Sequence, residues 1–182
     1  MSTPDARYML PAIALHWVIA LLLLCGFALG SFMVEIKFSP QKLSFYAYHK
    51  WIGVTIFVLA AVRLAWRLTH RPPPLPAALP QWQVGAAGAT HFLMYALLFA
   101  TPLSGWLYST AAGVPTVPFG VDALQLPDLV AKDKELALTL KFFHLTFIYS
   151  LAGLVLLHVG AAIMHQVVDA EGVLRRMWPG GR

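Results

Sequence analysis

The sequence predicts an all-α membrane protein, a four-transmembrane-helix bundle, on three observations. Of its 182 residues, 59% are hydrophobic and 12% charged, about half the charged share of a soluble domain. The mean hydropathy is +0.68, more apolar surface than a water-soluble globule of this size can hide, so the lipid bilayer is the expected solvent. The apolar residues also fall in blocks, near 12–33, 46–68, 90–109 and 142–168. Each block is long enough to cross a hydrocarbon core of about 30 Å. The chain therefore reads as a single integral-membrane domain over 1–182, which excludes a soluble enzyme, a disordered tail and a disulfide scaffold.

The elements follow in order. Arg7 precedes the first block, but the apolar run is long for a signal peptide and contains His16 and Trp17, so it is expected to stay as a helix. The single cysteine, Cys25, lies inside it and reads as a small packing residue. The second block ends among Arg63, Arg67 and Arg71. It leads into a 69–89 loop whose Arg71-Pro72-Pro73-Pro74-Leu75-Pro76 run cannot continue a helix and forms a stiff connector. After the third block comes a 110–141 loop, which opens with Gly113, Pro115 and Pro118 and turns helix-like from Asp133 to Lys141.

The net charge is +5. The basic residues sit at the ends of the blocks and not along one stripe, which argues for membrane topology and against a nucleic-acid partner. Every arginine maps to the end that holds both termini and the 69–89 loop, and every lysine to the other end. The cluster at Arg63, Arg67 and Arg71 predicts that both termini are cytoplasmic.

The histidines are the chemical signal. All but His70 lie in or at the edge of an apolar block, where an ionisable side chain is costly and points into the bundle toward a partner. His144 and His158 are 14 residues apart. That spacing puts them on one helix face and about 21 Å apart along the axis. His49 matches the depth of His144, and His16 lies closest to the level of His158, although depth alone leaves His91 and His165 open for the inner level. Two histidines at equal depth on facing helices can supply both axial ligands of a haem. The arrangement predicts two stacked haems, one near each leaflet. Gly53, four residues after His49, presents a face without a side chain to a flat macrocycle. Arg63, on that same face at the inner end, can pair with a haem propionate. Zinc, the rival metal, favours clustered tetrahedral ligands, often with cysteine or carboxylate, whereas these histidines are spread over two levels.

Several stretches resemble the bacterial cytochrome b561 family. They are Leu15-His16-Trp17, His49-Lys50-Trp51-Ile52-Gly53, Arg63-Leu64-Ala65-Trp66-Arg67, His91 followed by Tyr95, and Pro102-Leu103-Ser104-Gly105. His144, His158 and His165, and the ending Leu174-Arg175-Arg176-Met177-Trp178-Pro179, complete the set. The resemblance implies a multi-pass di-haem cytochrome b of the bacterial inner membrane. In it His16 and His158 hold the iron of the cytoplasmic-side haem b, and His49 and His144 that of the periplasmic-side one. One group of that family, superoxide oxidase, takes electrons from periplasmic superoxide and passes them to ubiquinone. Where that group tends to carry two adjacent histidines near the end of helix four, this chain has His165-Gln166.

Bis-histidine haem has no open coordination position, so the expected chemistry is electron transfer and not oxygen binding. Lys50 and Lys141, with Lys37 and Lys42, flank the outer helix ends and suit the steering of a small anion. His91 and His165, at the inner edge, suit proton delivery to a quinone or a place in its pocket. The expected activity is superoxide:ubiquinone oxidoreductase, which needs no protein partner. The alternative is a cytochrome b subunit that takes electrons from a partner redox protein, as hydrogenase- and dehydrogenase-type subunits do.

Overall fold

The computed structural model describes residues 7–74, 79–167 and 174–180; Leu75, Pro76, Val168 and Arg182 lie outside the described residues. Four helices carry the architecture: α1 (Leu10–Glu35), α2 (Pro40–Thr69), α3 (Gln81–Ala111) and α4 (Lys134–Val167). All four are long and apolar enough to cross a membrane.

Each helix runs past its apolar block, and two expected boundaries are corrected. Residues 81–89 belong to α3 and not to the preceding loop, and the helix-like stretch read from Asp133 to Lys141 is, from Lys134 on, continuous with the fourth block in α4, so the connections shrink to 70–80 and 112–133. The reason is geometric. A helix of 30 residues such as α2 is about 45 Å long and overshoots a hydrocarbon core of about 30 Å, so its polar ends stand in the headgroup zone, where hydropathy does not mark them.

Local chemistry sets the ends. Ser39 caps α2 by accepting from the Lys42 N–H at 3.2 Å, and Pro40 occupies the first turn, where its missing N–H costs nothing. Past the end of α3, Gly113 takes φ +73°. Its N–H bonds the Thr110 carbonyl while the Val114 N–H bonds that of Ser109, both at 2.9 Å, a Schellman stop. Asp133 starts α4 by accepting from the Leu136 N–H at 2.9 Å.

The backbones of α1 and α2, α2 and α3, and α3 and α4 approach closely. Buried side chains at mid-depth, Ile19, Ile56, Ala60, Leu98 and Leu151, tie the four helices together. Among the described residues no large side chain is fully buried, and Ile13 and Met33 are the buried large side chains of α1 on either side of this belt. Cys25 is exposed on the surface of α1, not packed inside as its sequence position suggested.

Two covers close the ends. At the outer end the 112–133 loop is held by donors from the helices: Lys50 Nζ to the Pro115 carbonyl at 2.8 Å, Trp51 Nε1 to that of Val117 at 2.8 Å, and Trp106 Nε1 to that of Pro127 at 3.2 Å. At the inner end the turn Arg175–Met177 folds back onto α1. Trp17 Nε1 donates to the Met177 carbonyl and Arg7 to that of Trp178, both at 2.7 Å. Arg176 reaches the Pro74 carbonyl at 2.7 Å.

Candidate functional site

The helix register brings the histidines together at two levels. At the outer level His49 of α2 and His144 of α4 face each other with ring centroids 6.3 Å apart. At the inner level His16 of α1 and His158 of α4 stand 6.2 Å apart. His91 of α3 joins the inner level, 5.4 Å from His158. All five rings are partly buried. His165, in the last turn of α4, is also partly buried; it follows His158 by two turns, about 10 Å further toward the inner end.

The outer pair borders an opening of about 410 Å³ between the helices, lined by Leu23, Gly26, Ile52, Gly53, Thr101 and Ile148 among others. Gly53, among the residues that line this opening, has no atom within 4 Å of where a Cβ would stand. Other glycines do different work. A Cβ on Gly105 would sit 3.0 Å from His144 Cε1, and one on Gly30 would sit 3.0 Å from His49 Cε1. Each ring is thus backed by a glycine on a neighbouring helix, where a Cβ would press on the ring. The Gly26–Gly30 spacing, a small-xxx-small pattern of close helix approach, is the sequence signal that could have found this contact.

Hydrogen bonding fixes the orientation of His144. Its Nδ1 lies 2.9 Å from the Thr101 carbonyl, which can only accept, so Nδ1 carries the proton and donates. The lone pair is left on Nε2, the tautomer that a metal ligand needs. The Ser104 hydroxyl donates to the same carbonyl at 2.8 Å, and its oxygen lies 3.2 Å from Nδ1. Neither Thr101 nor Ser104 was singled out in the sequence for this contact, which depends on how α3 packs against α4. The His49 ring is partly buried against the backbone of Gly26 on α1.

The inner level is more cationic. Arg63 lies within electrostatic reach of His16, His91 and His158. Its Nε donates to the Tyr95 hydroxyl at 3.2 Å, which leaves the rest of the guanidinium for an anion. Trp17 packs edge-on against His16 at 5.3 Å and against Trp178 at 5.6 Å, so the C-terminal turn shields this level.

The two lysines expected near the outer site differ. Lys50 is half-buried and spends its ammonium on the Pro115 carbonyl. Lys141 is exposed on α4.

These residues fit a haem. Two imidazoles bound through one nitrogen each to a metal midway, at bonds of about 2.0–2.1 Å, have ring centres roughly 6.3–6.5 Å apart. The outer and inner pairs meet that spacing, and His91 with His158 falls short of it. The bare Gly53 face and the ring-backing glycines leave room for a flat group. No group of three or more His, Cys, Asp or Glu among the described residues is arranged to hold a single metal ion.

The comparisons with known proteins agree with this geometry. The family model described as prokaryotic cytochrome b561 matches residues 7–180. The chain is 33% identical to cytochrome b561 homolog 2 of Escherichia coli (strain K12), covering 97% of this chain and 93% of that one. It is 29% identical to a probable superoxide oxidase, CybB, of Yersinia pestis, covering 95% and 96%. It is 26% identical to cytochrome b561 homolog 1 of E. coli, covering 95% and 97%. With paired imidazoles inside a four-helix membrane bundle and a family match over nearly its whole length, the chain belongs to the prokaryotic cytochrome b561 family, membrane electron-transfer proteins that carry haem b.

Proposed function

We propose that this protein is a di-haem cytochrome b of the bacterial inner membrane that oxidises superoxide at the periplasmic side and reduces ubiquinone. His49 and His144 hold the haem iron on the periplasmic side, and His16 and His158 hold it on the cytoplasmic side. The observation that carries the reading is the pair of imidazole–imidazole spacings, 6.3 and 6.2 Å, stacked at two levels of one bundle. When bound, b-type haem with both axial positions taken by imidazole carries single electrons and leaves no site for oxygen.

The residues of the chain do the rest. The Thr101 carbonyl holds the His144 tautomer, Ser104 bonds that carbonyl, and Gly53 lines the space beside it. Arg63 offers a cation to a propionate at the inner level. The end bearing Arg63, Arg67 and Arg71 faces the cytoplasm, with both termini, in keeping with the excess of arginine there. The overall reaction consumes two superoxide ions, one ubiquinone and two protons, and yields two molecules of dioxygen and one ubiquinol. His91, beside His158 and outside the proposed ligand pairs, and His165 beyond it serve the proton supply or line the quinone pocket. Lys141 draws the anionic substrate, and Lys50 acts chiefly by fixing the loop over the outer pair. The superoxide reading is supported by the Yersinia relative's name and, locally, by Lys37, Lys42, Lys50 and Lys141 flanking the outer helix ends, although the acids at that end leave it nearly neutral as a whole.

Purified protein, superoxide and a short-chain quinone test it. Quinol formation that needs no added protein supports the enzyme. Absence of quinol at every salt concentration, with both haems bound, identifies a subunit fed by a partner protein instead.

A further inference from the structure

A second cavity opens at the inner end between the start of α1, the end of α2 and the proline connector, with Met177 of the C-terminal turn as one wall. Arg63, Arg67, Arg71 and Arg7 all line it, and no acidic residue among the described ones does. The described acids, from Glu35 to Glu135, all lie at the other end of the bundle. Converging guanidinium groups repel one another and call for an anion. Arg63 is turned toward Tyr95 and the histidines. Arg67 and Arg71 make no hydrogen bond or ion pair with a described residue.

The surroundings decide which anion. Leu10 and Leu68, at the same level of the bundle, are 77% and 78% exposed, and Met9, part of the cavity wall, is 57% exposed. In a membrane-spanning helix such side chains face lipid. The cavity therefore sits where acyl chains meet the headgroup layer, cationic inside and apolar around its mouth. Guanidinium groups bind phosphate oxygens in a bidentate fork, and basic pockets between helices at a cytoplasmic surface suit anionic headgroups.

We propose that Arg67 and Arg71 bind the phosphodiester headgroup of an anionic phospholipid, whose chains lie along Met9, Leu10 and Leu68. The site is independent of which substrates the haems serve, because it rests on the arginines and the lipid-facing side chains alone. It would give the inner end of the bundle a fixed anion beside the arginine-rich end of α2.

The holoprotein in neutral detergent is titrated with dimyristoyl phosphatidylglycerol, with dimyristoyl phosphatidylcholine, and with inorganic phosphate, and bound adducts are counted by native mass spectrometry. At about 1 kcal/mol per arginine near an anionic headgroup, phosphatidylglycerol should bind roughly 10- to 30-fold tighter than phosphatidylcholine. In the double variant Arg67→Gln, Arg71→Gln that preference should fall to about twofold or less while haem per chain stays the same, and Lys37→Gln, Lys42→Gln at the other end should keep it. Equal binding of the two lipids by the unaltered protein overturns the proposal without recourse to any variant. So does inorganic phosphate displacing phosphatidylglycerol at equal concentration, which would mark a free-anion site. Loss of one haem equivalent from the arginine variant would assign these side chains to haem propionates instead, and would also overturn it.

Discussion

The outer and inner histidine levels share one spacing but are built from opposite materials. At the outer level the ring of His144 is oriented by a backbone carbonyl and a serine hydroxyl, both rings are backed by glycines, and a loop tied down by Lys50 and Trp51 covers them. Its wall is apolar apart from Thr101 and the two histidines themselves. At the inner level three imidazoles crowd within about two ring widths of one another, Arg63 acts on all of them, and more arginines stand just beyond. Positive charge favours the reduced, less positive state of a redox group. A site among arginines should therefore hold an electron more tightly than one among glycines and carbonyls. If each level holds a haem as proposed, the difference predicts a direction: electrons entering at the outer level should run downhill toward the inner one.

The largest expected effects come from removing a ring. His49→Ala or His144→Ala should each halve the haem per chain, and the haem that remains should have the same spectrum in both variants. His16→Ala or His158→Ala should remove the other one. His91→Ala should leave both in place, because its 5.4 Å centroid distance to His158 is too short for a shared metal between them. Haem quantification per chain checks all five. Loss of the inner haem on replacing His91, with retention on replacing His16, would reverse the assignment.

Next in size is crowding. A methyl group on Gly105 would press on the His144 ring at 3.0 Å, tighter than most real contacts. The ring or α3 must shift, at a cost of about 1–3 kcal/mol. Gly105→Ala should therefore broaden or displace the outer haem's absorption band and lower thermal stability, with the inner band unmoved. Gly53→Ala, which meets nothing within 4 Å in the chain, should be silent for the protein alone and disturb the spectrum only once haem is bound. That contrast separates a glycine that backs a ligand from one that faces the cofactor.

The directional claim is tested at Arg63. Arg63→Gln should lower the inner midpoint potential by the equivalent of on the order of 1–2 kcal/mol, the scale of one unit charge at an effective dielectric of about 20. The outer midpoint should move much less, since the two levels are about 21 Å apart. Redox titration followed at the two absorption bands reads both. An equal shift at both levels, or none, would remove the electrostatic contrast between the ends.

Much of this was legible in the sequence, and the limits have physical causes. Apolar blocks report the hydrocarbon core, so the four spans could be read directly, as could the helix-like stretch from Asp133 to Lys141, while the helical start at 81–89 in the headgroup zone could not. The rise per residue fixes relative depth along one helix, which is why His144 and His158 could be assigned to separate levels. It says nothing of lateral packing, and so left His16, His91 and His165 open as partners at the inner level. The face of Gly53 followed from its place four residues after His49. The contacts of Thr101, Ser104, Gly30 and Gly105 depend on the side-by-side packing of separate helices, which no single periodicity encodes. Lys50 read as a free surface cation because its acceptor, Pro115, lies 65 residues away in a loop whose path is set by tertiary structure.

The smallest expected effect is the sharpest test of how the outer ring is held. Ser104 is buried and donates to the Thr101 carbonyl at 2.8 Å, with its oxygen 3.2 Å from His144 Nδ1. Removing the hydroxyl in Ser104→Ala deletes one neutral hydrogen bond, about 0.5–1.5 kcal/mol of stability. The Thr101 carbonyl keeps its bond from Nδ1, so no buried acceptor is stranded and the tautomer of His144 does not change. Haem content should stay at the unaltered value, and the outer midpoint should move less than the inner one does in Arg63→Gln. If Ser104→Ala instead sheds the outer haem, the serine and not the backbone carbonyl sets the ring's tautomer. The outer level would then depend on a side-chain hydroxyl, and the contrast between a backbone-held end and a charge-held end would fail.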